Sequence, residues 1–215
     1  MSHDTIVHRA VRPVVRVLAK AGVAPDHLTA LRFATALGAA AAFAQGRQGW
    51  VEIGAGLFLL SAFLDRADGE LARLTRRFSR HGHRYDLWAD CAAGVLSFIG
   101  LGVGAMGGPL GPAAVLLGLL AAAGVTTLFW EIDVRGERKL PGVAGASGRV
   151  LADPDDAMFA VPVLLWCFGA NTVLWPAGTL TPALALWIVL RAWVRRRRRA
   201  PAEAGREHEG SRPAR

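Results

Sequence analysis

Residues 51–72 read VEIGAGLFLLSAFLDRADGELA, and the fold follows from how this stretch runs and how it ends. Up to Leu64 it is almost wholly apolar; then Asp65, Arg66 and Asp68 follow at once. A helix needs roughly 20 apolar residues to cross a hydrocarbon layer of ~30 Å. The stretch therefore predicts a membrane-crossing helix with acids at one end. Ionisable side chains there are costly and are rarely placed without a partner or a task.

Working outward, residues 28–44, 85–105, 110–130, 157–173 and 179–194 have the same character. Together with 51–72 they predict six spans, an all-α integral membrane protein. Three connections are short and are punctuated by Pro109, Pro112, Asn171, Pro176 and Pro182. Composition agrees: 53% of the 215 residues are hydrophobic, too apolar for an ordinary soluble domain.

Charge orients the spans. The chain carries a formal net charge of +8, and its basic residues sit between the apolar runs, which reads as membrane topology and not as nucleic-acid binding. The N-terminal segment and residues 73–84, 135–149 and 195–199 are basic, whereas the three short turns hold only Arg47. The positive-inside rule then puts both termini and both long loops in the cytoplasm, with the protein in the cell (inner) membrane. Arg9, Arg12, Arg16 and Lys20 recur every three or four residues, with Val11, Val14, Val15 and Leu18 at other angles of the same wheel. Residues 1–22 are thus expected to form an amphipathic helix on the inner membrane surface, the alternative being a mobile tail. The membrane domain spans 23–199, closed by an arginine run at anionic lipid. The polar residues 200–215 are expected to be disordered.

Smaller features carry smaller expectations. Gly100, Gly104 and Gly108 allow close helix packing, either within the chain or across a homodimer. Cys91 and Cys167 read as buried packing thiols, Trp50, Trp130 and Trp175 as interfacial anchors, and Trp88 as a packing residue.

The chemistry is expected where acids meet the membrane boundary. Asp65 and Asp68 are three apart, Asp86 and Asp90 four apart, so each pair shares a helix face. A single hairpin would bring all four carboxylates to one depth. Hard oxygen ligands select Mg²⁺, Mn²⁺ or Ca²⁺, and four of them suit a pair of ions that can clamp both oxygens of a phosphoryl displacement. The alternative is an ion-pair cluster with Arg66, Arg73 and Arg84. Gly69 and Ala72 are small enough for a base or ribose to press against the helix; Arg73 can hydrogen-bond a pyrophosphate; Gly82 lies one turn before Asp86.

In sum the residues read Asp65-x-x-Asp68-Gly69-x-x-Ala72-Arg73, eight residues, then Gly82-x-x-x-Asp86-x-x-x-Asp90. This resembles the signature of the CDP-alcohol phosphatidyltransferase family at all eight positions. The resemblance implies Asp65, Asp68 and Asp86 as principal ligands of two divalent cations, Mg²⁺ or Mn²⁺. It implies Asp90 as a further ligand and general base, and Gly69, Ala72, Arg73 and Gly82 around the cytidine nucleotide. The implied reaction is attack of a small alcohol or phospho-alcohol on CDP-diacylglycerol, releasing CMP. A second patch, Pro25-Asp26-His27-Leu28-Thr29, resembles the segment opening the first span in that family, where Pro-Asn-x-x-Thr is usual. Asp26 cannot donate the hydrogen bond of the asparagine it replaces, which leaves Thr29 as the nucleotide contact. Arg32 is either a donor-phosphate contact or a snorkelling side chain.

The acceptor is expected at the second long loop. Arg135, Arg138, Lys139 and Arg149 could grip an acceptor phosphate, but Asp153, Asp155 and Asp156 stand where arginine is expected for such an acceptor. These acids cap a helix or meet a cationic group. His81 and His83 read as solvated loop residues. A phosphotransferase using a CDP-aminoalcohol and a lipid alcohol is an alternative. A transporter is a rival of another class, although transport sites usually sit at the bilayer midplane; a catalytically inactive scaffold is a third reading.

Overall fold

The computed structural model describes residues 6–76, 80–135, 143–144, 150–152 and 158–210. Six helices account for most of them: α1 (Ile6–Lys20), α2 (Pro25–Ala44), α3 (Gln48–Thr75), α4 (Arg80–Gly104), α5 (Ala113–Phe129) and α6 (Ala160–Gly210). A 3₁₀ turn, Ala105–Gly107, extends α4, and a π-turn, Trp130–Val134, extends α5. A two-stranded antiparallel ribbon, β1 (Val143–Ala144) with β2 (Val150–Ala152), interrupts the long loop before α6.

The local reasons are legible. Pro25 begins α2, where its missing N–H removes no helix bond, and Asp26 faces the positive end of the helix dipole in the first turn. The turn from α2 to α3 uses Gly46 at φ +67°, a left-handed conformation that suits glycine. At α3's other end Arg76 takes φ +53° and closes the helix, so that α4 starts four residues later.

The exterior and interior fit a lipid environment. Leu31, Leu37, Ile53, Leu60, Leu116 and Leu119 are exposed, an arrangement unfavourable in water and natural in hydrocarbon. Small residues fill much of the interior: Ala36, Ala39, Ala55, Ala114 and Ala121 are all at or near zero exposure. Gly100 and Gly104 of α4 lie against the α2 backbone, where a Cβ would collide with the carbonyl oxygens of Ala40 and Phe43. Gly102 similarly meets Ala114 and Gly118 of α5. Gly100 and Gly104 therefore serve packing within the chain, while Gly108 faces the Asn171 side chain.

Among the described residues, four stretches are long and apolar enough to cross a membrane: Pro25–Ala44, Leu87–Gly107, Ala113–Ile132 and Ala160–Arg195. The chain is thus a multi-pass membrane protein. Two differences separate this from the six expected spans. In α3 the longest uncharged run is the 12 residues between Glu52 and Asp65, although its 28 residues make it ~42 Å long, more than a bilayer core requires. The expected fifth and sixth spans fall in a single helical run that breaks at Gly169, φ +75°, with Trp166 Nε1 donating to the Glu52 carbonyl at 3.2 Å.

A helix forms at the N-terminus, α1, and two of its valines turn inward while Val14 and Val17 stay exposed. Val11 and Val15 are fully buried against Leu28, Ala67 and Leu71, so α1 lies along α3. Burial of such a side chain is worth roughly 1.5–3 kcal/mol relative to water. At the other terminus the helical backbone continues to Gly210, through residues expected to be disordered; alanine, glutamate and arginine there are good helix formers. Cys167 is exposed and Cys91 half-buried, so neither is the buried thiol expected. Trp50, Trp130 and Trp175 are exposed, consistent with the anchoring expectation.

Candidate active site

Helices α2, α3 and α4 meet where α2 begins and α3 ends. Ser61 of α3 donates its hydroxyl to the Arg32 carbonyl at 3.1 Å, which fixes the height of α2 against α3. Thr29 and Arg32 are one turn apart on α2, and Asp65 and Asp68 one turn apart on α3. These two faces are turned to each other. The Thr29 hydroxyl donates to Asp68 Oδ2 at 2.8 Å. Arg32 Nη1 lies 2.8 Å from Asp65 Oδ1 and 4.0 Å from Asp68 Oδ2, and its other nitrogen, Nη2, contacts Asp90 Oδ1 from α4.

Three of the four predicted carboxylates therefore converge on one guanidinium, each drawn from a motif position. Asp86 lies one turn before Asp90 in α4, but its side chain falls outside the described residues, as do Gly82, His81 and His83 beyond their helical backbone. The side chains differ in access: Asp68 is 5% exposed, Asp65 24% and Asp90 39%. Asp90 is thus the member of the cluster most open to an incoming molecule, and Asp68 is the one held from within.

Arg32 does not snorkel; its side chain is 2% exposed and turned inward to the acids. Thr29, expected at the nucleotide, donates its hydroxyl to the Asp68 carboxylate. Trp88 also departs from expectation: at 72% exposed it does not pack in the interior. Of the ion pairs proposed as the alternative to a metal site, Arg66 Nη1 lies 3.7 Å from Asp65 Oδ2, and the Arg84 side chain lies outside the described residues.

Next to this cluster runs the face of α3 predicted to hold a nucleotide. Among the described residues an added Cβ at Gly69 would meet nothing nearer than Arg73 Nη2 at 3.7 Å, so packing against them does not require a glycine there. A glycine inside a helix costs roughly 0.5–1 kcal/mol relative to alanine, and no contact among the described residues offsets this. Ala72 and Arg73 are partly exposed on the same helix.

Sequence reasoning missed Glu70. It is 8% exposed, accepts from Arg12 Nε of α1 at 3.3 Å and from Arg73 Nε at 3.1 Å, and so links the first helix to the predicted nucleotide face. Its signal was faint, because a glutamate two residues beyond Asp68 points elsewhere on the helix. Glu131 was also missed. It is buried in the π-turn, pairs with Arg135 at 2.5 Å, and lines a small cleft with Val189, Ala192 and Trp193 of α6. Of the predicted acceptor residues only Arg135 is described; Arg138, Lys139, Arg149, Asp153, Asp155 and Asp156 lie outside the described residues.

The carboxylate oxygens fit a hard divalent cation in chemistry, all being oxygen donors. Their shared contacts with one guanidinium put Asp65, Asp68 and Asp90 within reach of a common cation. Arg66 Nη1 adds a second guanidinium at 3.7 Å from Asp65 Oδ2. Among the described residues no three acidic, histidine or cysteine groups already stand in metal-ligand arrangement, since Arg32 holds the oxygens.

A multi-pass helical protein with a buried arginine and three acids gathered at one end of its bundle has the outline of an enzyme working at a membrane boundary. The chain belongs to the CDP-alcohol phosphatidyltransferase family, whose model matches residues 22–190. It is accordingly a phosphotransferase, acting on a CDP-linked donor and an alcohol acceptor, and the transporter reading is set aside. No curated protein matches the chain.

Proposed function

We propose that this enzyme transfers the phosphatidyl group of CDP-diacylglycerol to a small alcohol or phospho-alcohol and releases CMP. The observation that carries this reading is the convergence of Asp65, Asp68 and Asp90 beside the open face at Gly69. In this reading Asp65, Asp68, Asp86 and Asp90 hold two divalent cations, Mg²⁺ or Mn²⁺. Ions bound there would neutralise the donor diphosphate and favour departure of CMP.

The chain's own residues do the rest. Gly69, Ala72 and Gly82 admit the nucleotide against the helix backbones, and Arg73, steadied by Glu70, donates to its phosphate oxygens. Thr29 acts through Asp68, orienting that carboxylate with its hydroxyl. Asp90, the most open acid, accepts the proton of the acceptor hydroxyl as the new phosphorus–oxygen bond forms. Arg135, with Arg138, Lys139 and Arg149 from the second loop, serves the phosphate of a phospho-alcohol acceptor.

The same reading includes a six-span topology, with 157–173 and 179–194 as the last two spans. Residues 1–22 then lie at the surface of the inner membrane, both termini and the active site are cytoplasmic, and membrane domain 23–199 pairs as a homodimer. Support comes from the basic segments at 73–84, 135–149 and 195–199 and from the basic residues of α1.

The test is CMP release by purified protein in detergent, given Mg²⁺ or Mn²⁺, CDP-diacylglycerol and a panel of acceptors. The panel holds glycerol 3-phosphate, inositol phosphate, inositol, serine and a neutral lipid alcohol. Turnover with one acceptor, abolished in Asp90→Asn, is the expected result. Turnover only when a CDP-aminoalcohol replaces the lipid donor would transfer the assignment to that reaction.

A further inference from the structure

The most unusual placement in the molecule is Arg32. It sits two turns into α2, fully buried, in contact with acids from α3 and α4. Ser61 of α3 holds its backbone carbonyl. A planar guanidinium can address two carboxylates at once through its two terminal nitrogens, and it does so here: Nη1 faces Asp65 and Asp68 while Nη2 faces Asp90. A lysine would offer one compact ammonium in place of this fork.

The contacts have a consequence for metal binding. A carboxylate oxygen that accepts from a guanidinium does not offer the same lone pair to a cation, which demands oxygen at ~2.0–2.1 Å in the case of Mg²⁺. The acids also cannot be left bare. Like charges buried together repel strongly in a low dielectric, so a site that binds and loses its cations needs something positive in the interval.

We propose that Arg32 is the resident counter-cation of this cluster. It holds Asp65, Asp68 and Asp90 in register when no divalent cation is present, and it gives up their oxygens when one enters. The proposal rests on the reading that these carboxylates take the metal. Arg32 is thereby a positioning residue and a competitor at once: it keeps three helices assembled in the metal-free protein and lowers the apparent metal affinity.

The test compares wild type, Arg32→Met and Arg32→Lys as full-length, chelator-treated protein in detergent. Two quantities are read: the melting temperature without metal, and the dissociation constant for Mn²⁺ from the loss of the free-ion paramagnetic resonance signal. Arg32→Met is expected to melt lower without metal, to bind Mn²⁺ at least about tenfold more tightly, and to gain more melting temperature on binding. Arg32→Lys, which keeps the charge but not the fork, falls between, and it supplies the affinity comparison should the methionine variant fail to fold. Mn²⁺ affinity equal to or weaker than wild type in the variants overturns the proposal, because a purely structural arginine would leave affinity unchanged or reduce it. Absence of Mn²⁺ uptake by the wild type itself overturns the metal reading, and the displacement with it.

Discussion

Thr29 and Asp68 are joined across the α2–α3 interface by a 2.8 Å hydrogen bond in which the hydroxyl donates to the buried carboxylate. A carboxylate so placed presents its remaining lone pairs in a fixed direction. Thr29→Val keeps the shape and removes the donor. Hydrogen bonds to charged groups contribute about 1.5–3 kcal/mol, so turnover should fall by about tenfold or more. Thr29→Ser should retain most activity. CMP release and melting temperature, measured on both variants, check this; equal activity in valine and serine variants would show that the bond orients nothing of consequence.

Asp90 and Asp65 should fail differently. Asp90→Asn removes the proposed base while keeping an oxygen in place, so turnover is expected to drop by at least about a hundredfold with most Mn²⁺ binding kept. Asp65→Ala removes an oxygen pair and should abolish both turnover and metal dependence, with the protein still inserted in the membrane. A direct Mn²⁺ titration alongside the assay separates the two, and wild-type turnover in Asp65→Ala would remove the two-ion mechanism.

Two glycines make opposite predictions. Gly69→Ala meets nothing closer than 3.7 Å, so stability should hold or rise slightly, while KM for the CDP-linked donor should increase by about tenfold. Gly104→Ala forces a Cβ into the Phe43 carbonyl and the backbone of Gly46, and should lower stability by about 1–3 kcal/mol. Melting curves and donor KM on the pair give a direct comparison. A strongly destabilised Gly69→Ala would mean that the open face serves packing after all.

Glu70 should behave as a tether. Glu70→Gln weakens the ties to Arg12 and Arg73 without changing size. The expected results are a higher KM for the donor, through a less ordered Arg73, and faster proteolysis of α1. Protease digestion under native conditions reads the second effect apart from the first. Unchanged digestion would show that Val11 and Val15 suffice to hold α1 in place.

Much of this was legible in the one-dimensional pattern. Apolar runs broken by basic segments imply a helical membrane protein, because backbone polar groups in lipid must be satisfied within each span. Helical spacing alone put Asp65 with Asp68 on one face, and a short link between α3 and α4 was enough to bring Asp90 to them. Which cation would stand among those acids was not legible. Arg32 is separated from Asp90 by 58 residues, and nothing in the intervening sequence says that α2 will be the helix that lies in both grooves.

The sequence alone determined the class of the fold and the residues of the acidic end, since hydropathy and i, i+3 geometry are local properties of the chain. Only tertiary structure decided the partners. Thr29 faces Asp68, Arg32 turns inward, Glu70 connects α1 to Arg73, and Gly100 and Gly104 meet α2 within one chain. Those choices depend on how far helices slide and rotate against one another. That is set by the summed packing of many small contacts, which no single stretch of sequence contains.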